Sequence, residues 1–247
     1  MSEGERFLDK CLTTTVGLQP WPHQIINDTL SQEAFAKLKE SCFKSTLTKT
    51  AELQHIFPDQ YKDCGIDFYD ETVDICTSIL ENYKKICAVY PRHRMFPNIG
   101  VNAHISVTPP LPYKFHIHQE GLEKIWSSVT YITPEKNVGT KMYSEQKEES
   151  FVSEAQWLPN STFIFCGQQG KTWHFTSASR CLDLTLCQTK LSLLLILRWV
   201  RTWSPVLSNT FFALNTTVGK YKHLRNLRET FCVYESTCQC QKNGGAR

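Results

Sequence analysis

Long hydrophobic runs are missing from this sequence. Its most apolar stretch, Leu191 to Leu197, falls far short of the roughly 20 residues a helix needs to cross a bilayer, and reads as a buried strand. The opening MSEGERFLDK has no apolar core of the kind a secretory signal carries. A surplus of one charge is missing too. Lys and Arg number 27 against 24 Asp and Glu, a formal +3 that is too mild to argue for nucleic acid by itself but leaves it among the partner classes. There is no G-x-S-x-G, no P-loop and no Rossmann glycine pattern, which removes the commonest serine-nucleophile and nucleotide-binding schemes. Cysteine is plentiful, but 11 of them at irregular spacings make no disulfide framework and fit free thiols in a reducing, cytoplasmic setting. Cys232, Cys238 and Cys240 lie close, yet one CxC without a partner pair is a weak zinc signal. Asn160-Ser161-Thr162 and Asn215-Thr216-Thr217 match the glycosylation pattern, which means little without a secretory signal. The expectation is a soluble cytoplasmic protein with no membrane contact.

What is present is enough apolar material for a core, at 41% of residues, ordered by two periods. Residues 1–17 are polar and read as a flexible N-terminus. Trp21 to Ile26 reads as extended, because Pro20 and Pro22 oppose helix. Asp28 or Ser31 can cap a helix whose apolar stripe is Ala34, Phe35, Leu38 and Cys42. A polar, loop-like stretch runs to Tyr69. Asp70 then caps a second helix, with Val73, Cys76, Ile79, Leu80, Tyr83, Ile86 and Cys87 at three- and four-residue steps. From Pro97 the period becomes two: Ile99, Val101, Ala103, Ile105 and Val107 alternate with Gly, Asn, His and Ser. Further strands are expected at Tyr113–His118, Ile125–Thr133, Thr140–Tyr143, Ser153–Leu158, Ser161–Cys166, Thr172–Thr176 and Leu191–Trp199. Short strands divided by turn signals point to a mainly β sandwich or jelly roll, buttressed by the N-terminal α-helices. One domain is expected over residues 18–214, followed by a basic tail or helical extension at 215–247.

The chemistry gathers in Tyr113 to Tyr131 and in the later Lys171-Thr172-Trp173-His174-Phe175. His116, His118 and Glu120 are spaced by two, so on a strand they share a face. With His174, His118 and Glu120 would form two imidazoles and a carboxylate on one side of a metal. That is the facial set of non-haem Fe(II) oxygenases, which leaves three positions open. H-x-E is short and common, and a His116–His118 pair is a rival within the same strand. A Cys166–His174 thiol–imidazole pair is a weaker alternative, because Cys166 sits in an apolar strand.

Four stretches carry a resemblance. They are WPHQIINDTLSQEAFAKL; His118-Gln119-Glu120 with Lys124 and SSVTYITP; Asn137-Val138-Gly139-Thr140-Lys141-Met142; and Asn160 to Phe165 followed by Trp173-His174. Together, over about residues 20 to 200, they resemble the iron- and 2-oxoglutarate-dependent dioxygenases, in the prolyl-hydroxylase-like branch. The resemblance implies a double-stranded β-helix and metal ligands His118, Glu120 and His174. It implies that Tyr131 bonds the distal carboxylate of 2-oxoglutarate, and that Val129 and Met142 line the cavity. The sequence departs from the family in two places. Glu120 stands where the acid is usually Asp, and Lys190, in Lys190-Leu191-Ser192, stands where the carboxylate anchor is usually Arg in an R-x-S pattern. Arg180 is the competing anchor. The activity that the resemblance implies is that of an Fe(II) enzyme that takes 2-oxoglutarate and O2, hydroxylates a C–H bond and releases succinate and CO2. Its substrate is open among a protein side chain, a nucleobase and a metabolite. Two alternatives stand beside it: a catalytically silent jelly-roll binding protein with a degenerate site, and a metal-dependent cupin-like enzyme without 2-oxoglutarate.

Overall fold

The computed structural model describes residues 1–44, 54–90, 99–108, 116–121, 124–168, 170–176, 190–199 and 212–214. Among them the fold is mainly antiparallel β-sheet with three α-helices. The clean alternation read from the sequence becomes β3 (Ile99–Thr108). Its apolar face, Ile99, Val101, Ala103, Ile105 and Val107, is buried in one cluster with the helices. Phe7 and Cys11 come from α1 (Glu3–Thr13), Leu38 from α2 (Gln32–Lys44), and Ile75, Ile79 and Ile86 from α3 (Tyr69–Ala88). Fully burying one such aliphatic or aromatic side chain is worth about 1.5–3 kcal/mol, so this cluster is what holds the helical layer on the sheet.

The larger sheet runs β1 (His23–Ile26), β7 (Thr162–Phe165), β4 (Lys124–Thr133), β9 (Lys190–Trp199), β3 and β10 (Phe212–Leu214), and β2 (Gln54–Ile56) also pairs with β3. A smaller sheet runs β6 (Phe151–Ala155), β5 (Thr140–Tyr143) and β8 (Trp173–Thr176). A second cluster joins the two: Tyr131, Phe163 and Phe165 from the larger sheet, Met142 and Ala155 from the smaller, with Trp21 and Trp157 beside them. The register sets His104 opposite Leu194 and Leu194 opposite Val129, which packs against this second cluster. Paired residues share a face, so Asn102, His104, Ser106 and Thr108 point toward the smaller sheet's side. All four are buried. Alternation alone assigns such residues to water; here they are buried, and the rings of His55 and Phe57 pack against His104.

Three expectations change. Residues 1–17, expected to be flexible, hold α1. Ser2 Oγ accepts from the Glu5 N–H, Glu5 returns the bond to the Ser2 N–H at 2.8 Å, and Phe7 and Cys11 are buried one turn apart. Asp70 does not cap α3. Phe68 is the N-cap residue, with no side-chain cap, and Asp70 and Glu71 lie in the first turn, where their charge suits the helix dipole. The stretch before Tyr69 is not merely polar loop, since it holds β2 and buries Tyr61, Ile66 and Phe68. Ser31, by contrast, does cap α2, its Oγ accepting from the Ala34 N–H at 3.1 Å. The residues 113–115, Arg180, the tail at 215–247 and its cysteines lie outside the described residues. Among those described, no helix is long and apolar enough to cross a membrane.

Gly139 marks a close approach that the fold depends on. A Cβ there would stand 1.8 Å from the Ala155 carbonyl oxygen, with backbone rather than a flexible side chain in the way. Its N–H also donates to Glu154 Oε1 at 2.7 Å. Gly139→Ala therefore forces β5 from β6 and is expected to lower stability by about 1–3 kcal/mol, read as a shift in the urea midpoint.

Candidate metal centre

β8 meets the segment 116–121 through an isolated antiparallel bridge. The His118 N–H donates to the His174 carbonyl at 3.1 Å, and the His174 N–H donates to the His118 carbonyl at 2.9 Å. Residues exchanging both bonds in an antiparallel pair send their side chains to one face. The two imidazoles accordingly stand together, ring centroids 4.4 Å apart. His116, the rival within the strand, is exposed and contributes its backbone instead.

Both rings are fixed in the same way. His118 Nδ1 lies 2.8 Å from the His116 carbonyl, and His174 Nδ1 lies 2.9 Å from the Thr172 carbonyl. A carbonyl only accepts, so each Nδ1 carries the hydrogen toward it, and in the neutral His174 ring Nε2 is left with its lone pair. Backbone orientation of this kind is how proteins prepare imidazoles for a metal. Phe165, at 4.8 Å between centroids, and Trp21, at 6.5 Å, wall the His174 ring. Burial, reinforced by His118 and opposed by Glu120, pushes His174 down to about 4. It is neutral at pH 7 and gives up no proton to ligate.

Glu120 supplies the carboxylate. Its Oε1 stands 3.9 Å from His174 Nε2, while its Oε2 takes a hydrogen bond and ion pair from Lys124 Nζ. Burial acts to raise its pKa, but the Lys124 charge, with His174, the Lys124 hydrogen bond and His118, overcomes this and holds it at about 2. The group is ionised across the neutral range. The connection between β7 and β8 closes over it. Gly170 N–H donates to Gln119 Oε1, and a Cβ on Gly167 would stand 2.7 Å from the Lys124 carbonyl oxygen.

Two imidazoles, of which His174 is neutral, and one ionised carboxylate are the donor types that suit a divalent first-row ion. The spacing is wider than a ligated set. Two atoms each about 2.1 Å from one ion at a right angle would lie roughly 3 Å apart, and among the described residues no three such side chains stand close enough to share an ion. The carboxylate leans toward Lys124, so ligation requires Glu120 to move toward the imidazoles.

The remaining residues divide. Tyr131 is buried, stacks on Trp157 at 4.5 Å and shares a 2.8 Å hydrogen bond with Thr140 Oγ1. Burial pushes its phenol well above the usual range, so it remains a neutral hydroxyl. Met142 is opposite His174 in the β5–β8 register, and Met142 and Val129 both pack in the aromatic cluster between the sheets. Ser192 occupies the β9 position opposite Tyr131 on one side and Ser106 on the other, and Lys190 the position opposite Thr108. Cys166 is a buried thiol that desolvation pushes up, which makes it core rather than nucleophile. Lys124 is the addition: its position in the sequence assigned it no role, and the structure brings its Nζ onto Glu120 Oε2.

No family model and no curated protein matches the chain. Among solved structures it is similar to a Pseudomonas putida prolyl-4-hydroxylase, at 13% identity over 81% of this chain and 95% of that one, with a TM-score of 0.45. It is also similar to a Trichoplax adhaerens prolyl hydroxylase in complex with a hypoxia inducible factor oxygen degradation domain peptide fragment, at 9% identity, 79% and 88% coverage and a TM-score of 0.47. A third is the viral collagen prolyl hydroxylase of Paramecium Bursaria Chlorella virus-1, at 14% identity, 72% and 90% coverage and a TM-score of 0.44.

Proposed function

We propose that this chain is an Fe(II)- and 2-oxoglutarate-dependent dioxygenase that hydroxylates a C–H bond, built on a double-stranded β-helix spanning residues 18–214. One observation supports it most: His118 and His174, bonded through their backbones, stand with their rings 4.4 Å apart, each Nδ1 on a backbone carbonyl, and Glu120 Oε1 lies 3.9 Å from His174 Nε2. His118, Glu120 and His174 are the proposed ligands. Iron held there would supply oxygen activation, with 2-oxoglutarate leaving as succinate and CO2. The protein's part is to orient and to exclude water. Phe165 and Trp21 fix His174 and keep bulk water from it. Tyr131 and Thr140 hold two hydroxyl hydrogens of which their mutual bond uses one, so Tyr131 can offer a donor to a carboxylate. Lys190 and Ser192, on the strand beside Tyr131, are the proposed carboxylate anchor, with Arg180 the competitor; Val129 and Met142 would line the cavity. The substrate remains a protein side chain, a nucleobase or a metabolite.

A second reading has its own observation. Lys124 already neutralises Glu120, as in a catalytically silent binding protein that keeps the remnants of a site. One assay separates them. The full chain with Fe(II), ascorbate and 2-oxoglutarate is expected to release succinate even without substrate, and to stop on addition of a chelator. No succinate, with no divalent metal bound, would favour the silent protein; metal bound without succinate would favour a cupin-like enzyme that uses another cosubstrate.

A further inference from the structure

We infer that the outer edge of β6 is a docking surface for an extended, basic segment of a partner polypeptide, which adds to the smaller sheet as a further strand. The inference goes beyond the oxygenase reading and needs no metal. β6 ends the smaller sheet. Among the described residues it pairs with β5 alone, so its other edge has no strand beside it. Two apolar side chains stand on it in the open, Phe151 at 49% and Val152 at 45% exposure. Phe151 is opposite Tyr143 in the β5–β6 register, and their ring centroids are 5.9 Å apart. Ser153 is opposite Met142, so the register shift leaves Val152 as the extra residue of a bulge. In a regular strand one of two neighbours faces the core; a bulge re-aims a side chain and releases it from that rule. A bare strand edge with apolar side chains is the surface on which an extended peptide adds by main-chain hydrogen bonds.

The charge of the edge selects its partner. From Glu145 to Glu154 the chain carries four carboxylates, Glu145, Glu148, Glu149 and Glu154, against the single ammonium of Lys147, although its overall formal balance is +3. Lys147 is drawn to Glu145, 2.9 Å away. Burial pushes the Tyr143 phenol up, and Glu148 and Glu154 push it further, so their field reaches the sheet. The Phe151 ring already has a cation over it, Lys141 Nζ at 5.8 Å from the centroid. Edge charges and bulges are how a sheet refuses indiscriminate pairing. A strand with arginine or lysine between apolar residues satisfies this edge; a second copy of β6 would bring two acidic strands together, which like charges oppose. The surface is also held ready. Ser150 Oγ shares its hydrogen between the Glu145 and Lys147 carbonyls, at 2.8 and 2.7 Å, and accepts from the Glu145 N–H at 3.1 Å. Gln146 Nε2 donates to the Ile117 carbonyl at 3.0 Å, which joins this turn to the segment that bears His118.

The test uses the full chain and a fluorescein-labelled octapeptide of alternating arginine and valine, read by fluorescence anisotropy. Two control peptides accompany it. One has glutamate in place of arginine; the other is N-methylated at every residue, which keeps its charge and side chains but removes its main-chain donors. The arginine peptide is expected to bind, and to bind less as salt rises. Both controls are expected to bind more weakly by roughly tenfold or more. Two double variants, Glu148→Lys with Glu149→Lys and Phe151→Ser with Val152→Ser, alter exposed side chains only. Each is expected to weaken the arginine peptide by roughly tenfold at an unchanged melting temperature. Four results would overturn the inference: no binding of the arginine peptide; equal binding of the N-methylated peptide, which makes the contact one of charge alone; unchanged binding by both double variants, which puts the peptide elsewhere; or a chain that sediments as a dimer and becomes monomeric with Phe151→Ser and Val152→Ser, which gives the edge to a second copy.

Discussion

His174→Ala loses Mn(II) binding by roughly a hundredfold or more in affinity, beyond the ten- to hundredfold typical of an outer partner, and with it all succinate release. The size of the effect comes from how little else reaches the site. Among the described residues, the side chain brought beside Glu120 and His118 by the backbone bridge is that of His174. Removing its ring leaves a single imidazole and a carboxylate already engaged by Lys124. The truncation also opens a space against Phe165 and Trp21, so some stability goes with it. His174→Leu keeps that space filled without a nitrogen. It should match His174→Ala in metal binding and the wild type more closely in melting temperature. Retention of wild-type Mn(II) affinity by either variant would remove His174 from the metal centre.

Asn160→Ala is expected to lower folding stability by about 3–5 kcal/mol. Asn160 is buried and left-handed, at φ 62°. Its side chain brackets Leu30, Nδ2 donating to the Leu30 carbonyl at 3.0 Å and Oδ1 accepting from the Leu30 N–H at 2.9 Å. Its backbone accepts from the Thr29 N–H and donates to the Tyr131 carbonyl, both at 2.9 Å. It therefore ties the entry of α2 to β4 at the start of β7. Alanine leaves both Leu30 groups buried without these partners, at about 1–3 kcal/mol each, and lacks the short polar side chain that lets Asn adopt the left-handed region. Asn160→Gly lacks the same two bonds but relieves the conformation, so it should fall between alanine and wild type in urea unfolding. Equal stability of Asn160→Ala and wild type would show that the bracket contributes nothing.

Local periodicity made much of the architecture legible. The period of two in β3 and the three- and four-residue steps of α3 each survive in the structure with ends shifted by a residue or two. The N-terminal helix was legible too, in Ser2-x-x-Glu5 and the Phe7–Cys11 step, but its polar composition masked that signal. In the site, spacing by two put His118 and Glu120 on one expected strand face, but residues 116–121 form no strand: His118 makes an isolated bridge to His174, and Glu120 lies 3.9 Å from His174 Nε2. Lys124 was not legible, because no apolar period marks its contact with Glu120, which rests on a single ion pair and hydrogen bond. Nor could alternation tell that the polar face of β3 is buried, since a strand's pattern does not distinguish water from covering side chains such as His55 and Phe57. The Tyr131–Thr140 bond depends on how β4 and β5 are stacked across the interior, which no local rule encodes.

The most direct test of the metal centre is a crystal of the full chain soaked with Mn(II) and an unreactive 2-oxoglutarate mimic, with anomalous differences measured at the manganese edge. The expected result is one peak bounded by the imidazoles of His118 and His174 and by the carboxylate of Glu120, drawn away from Lys124, with the mimic's keto acid on the open side. A map in which Glu120 remains turned to Lys124 and no peak lies between the two imidazoles would contradict it.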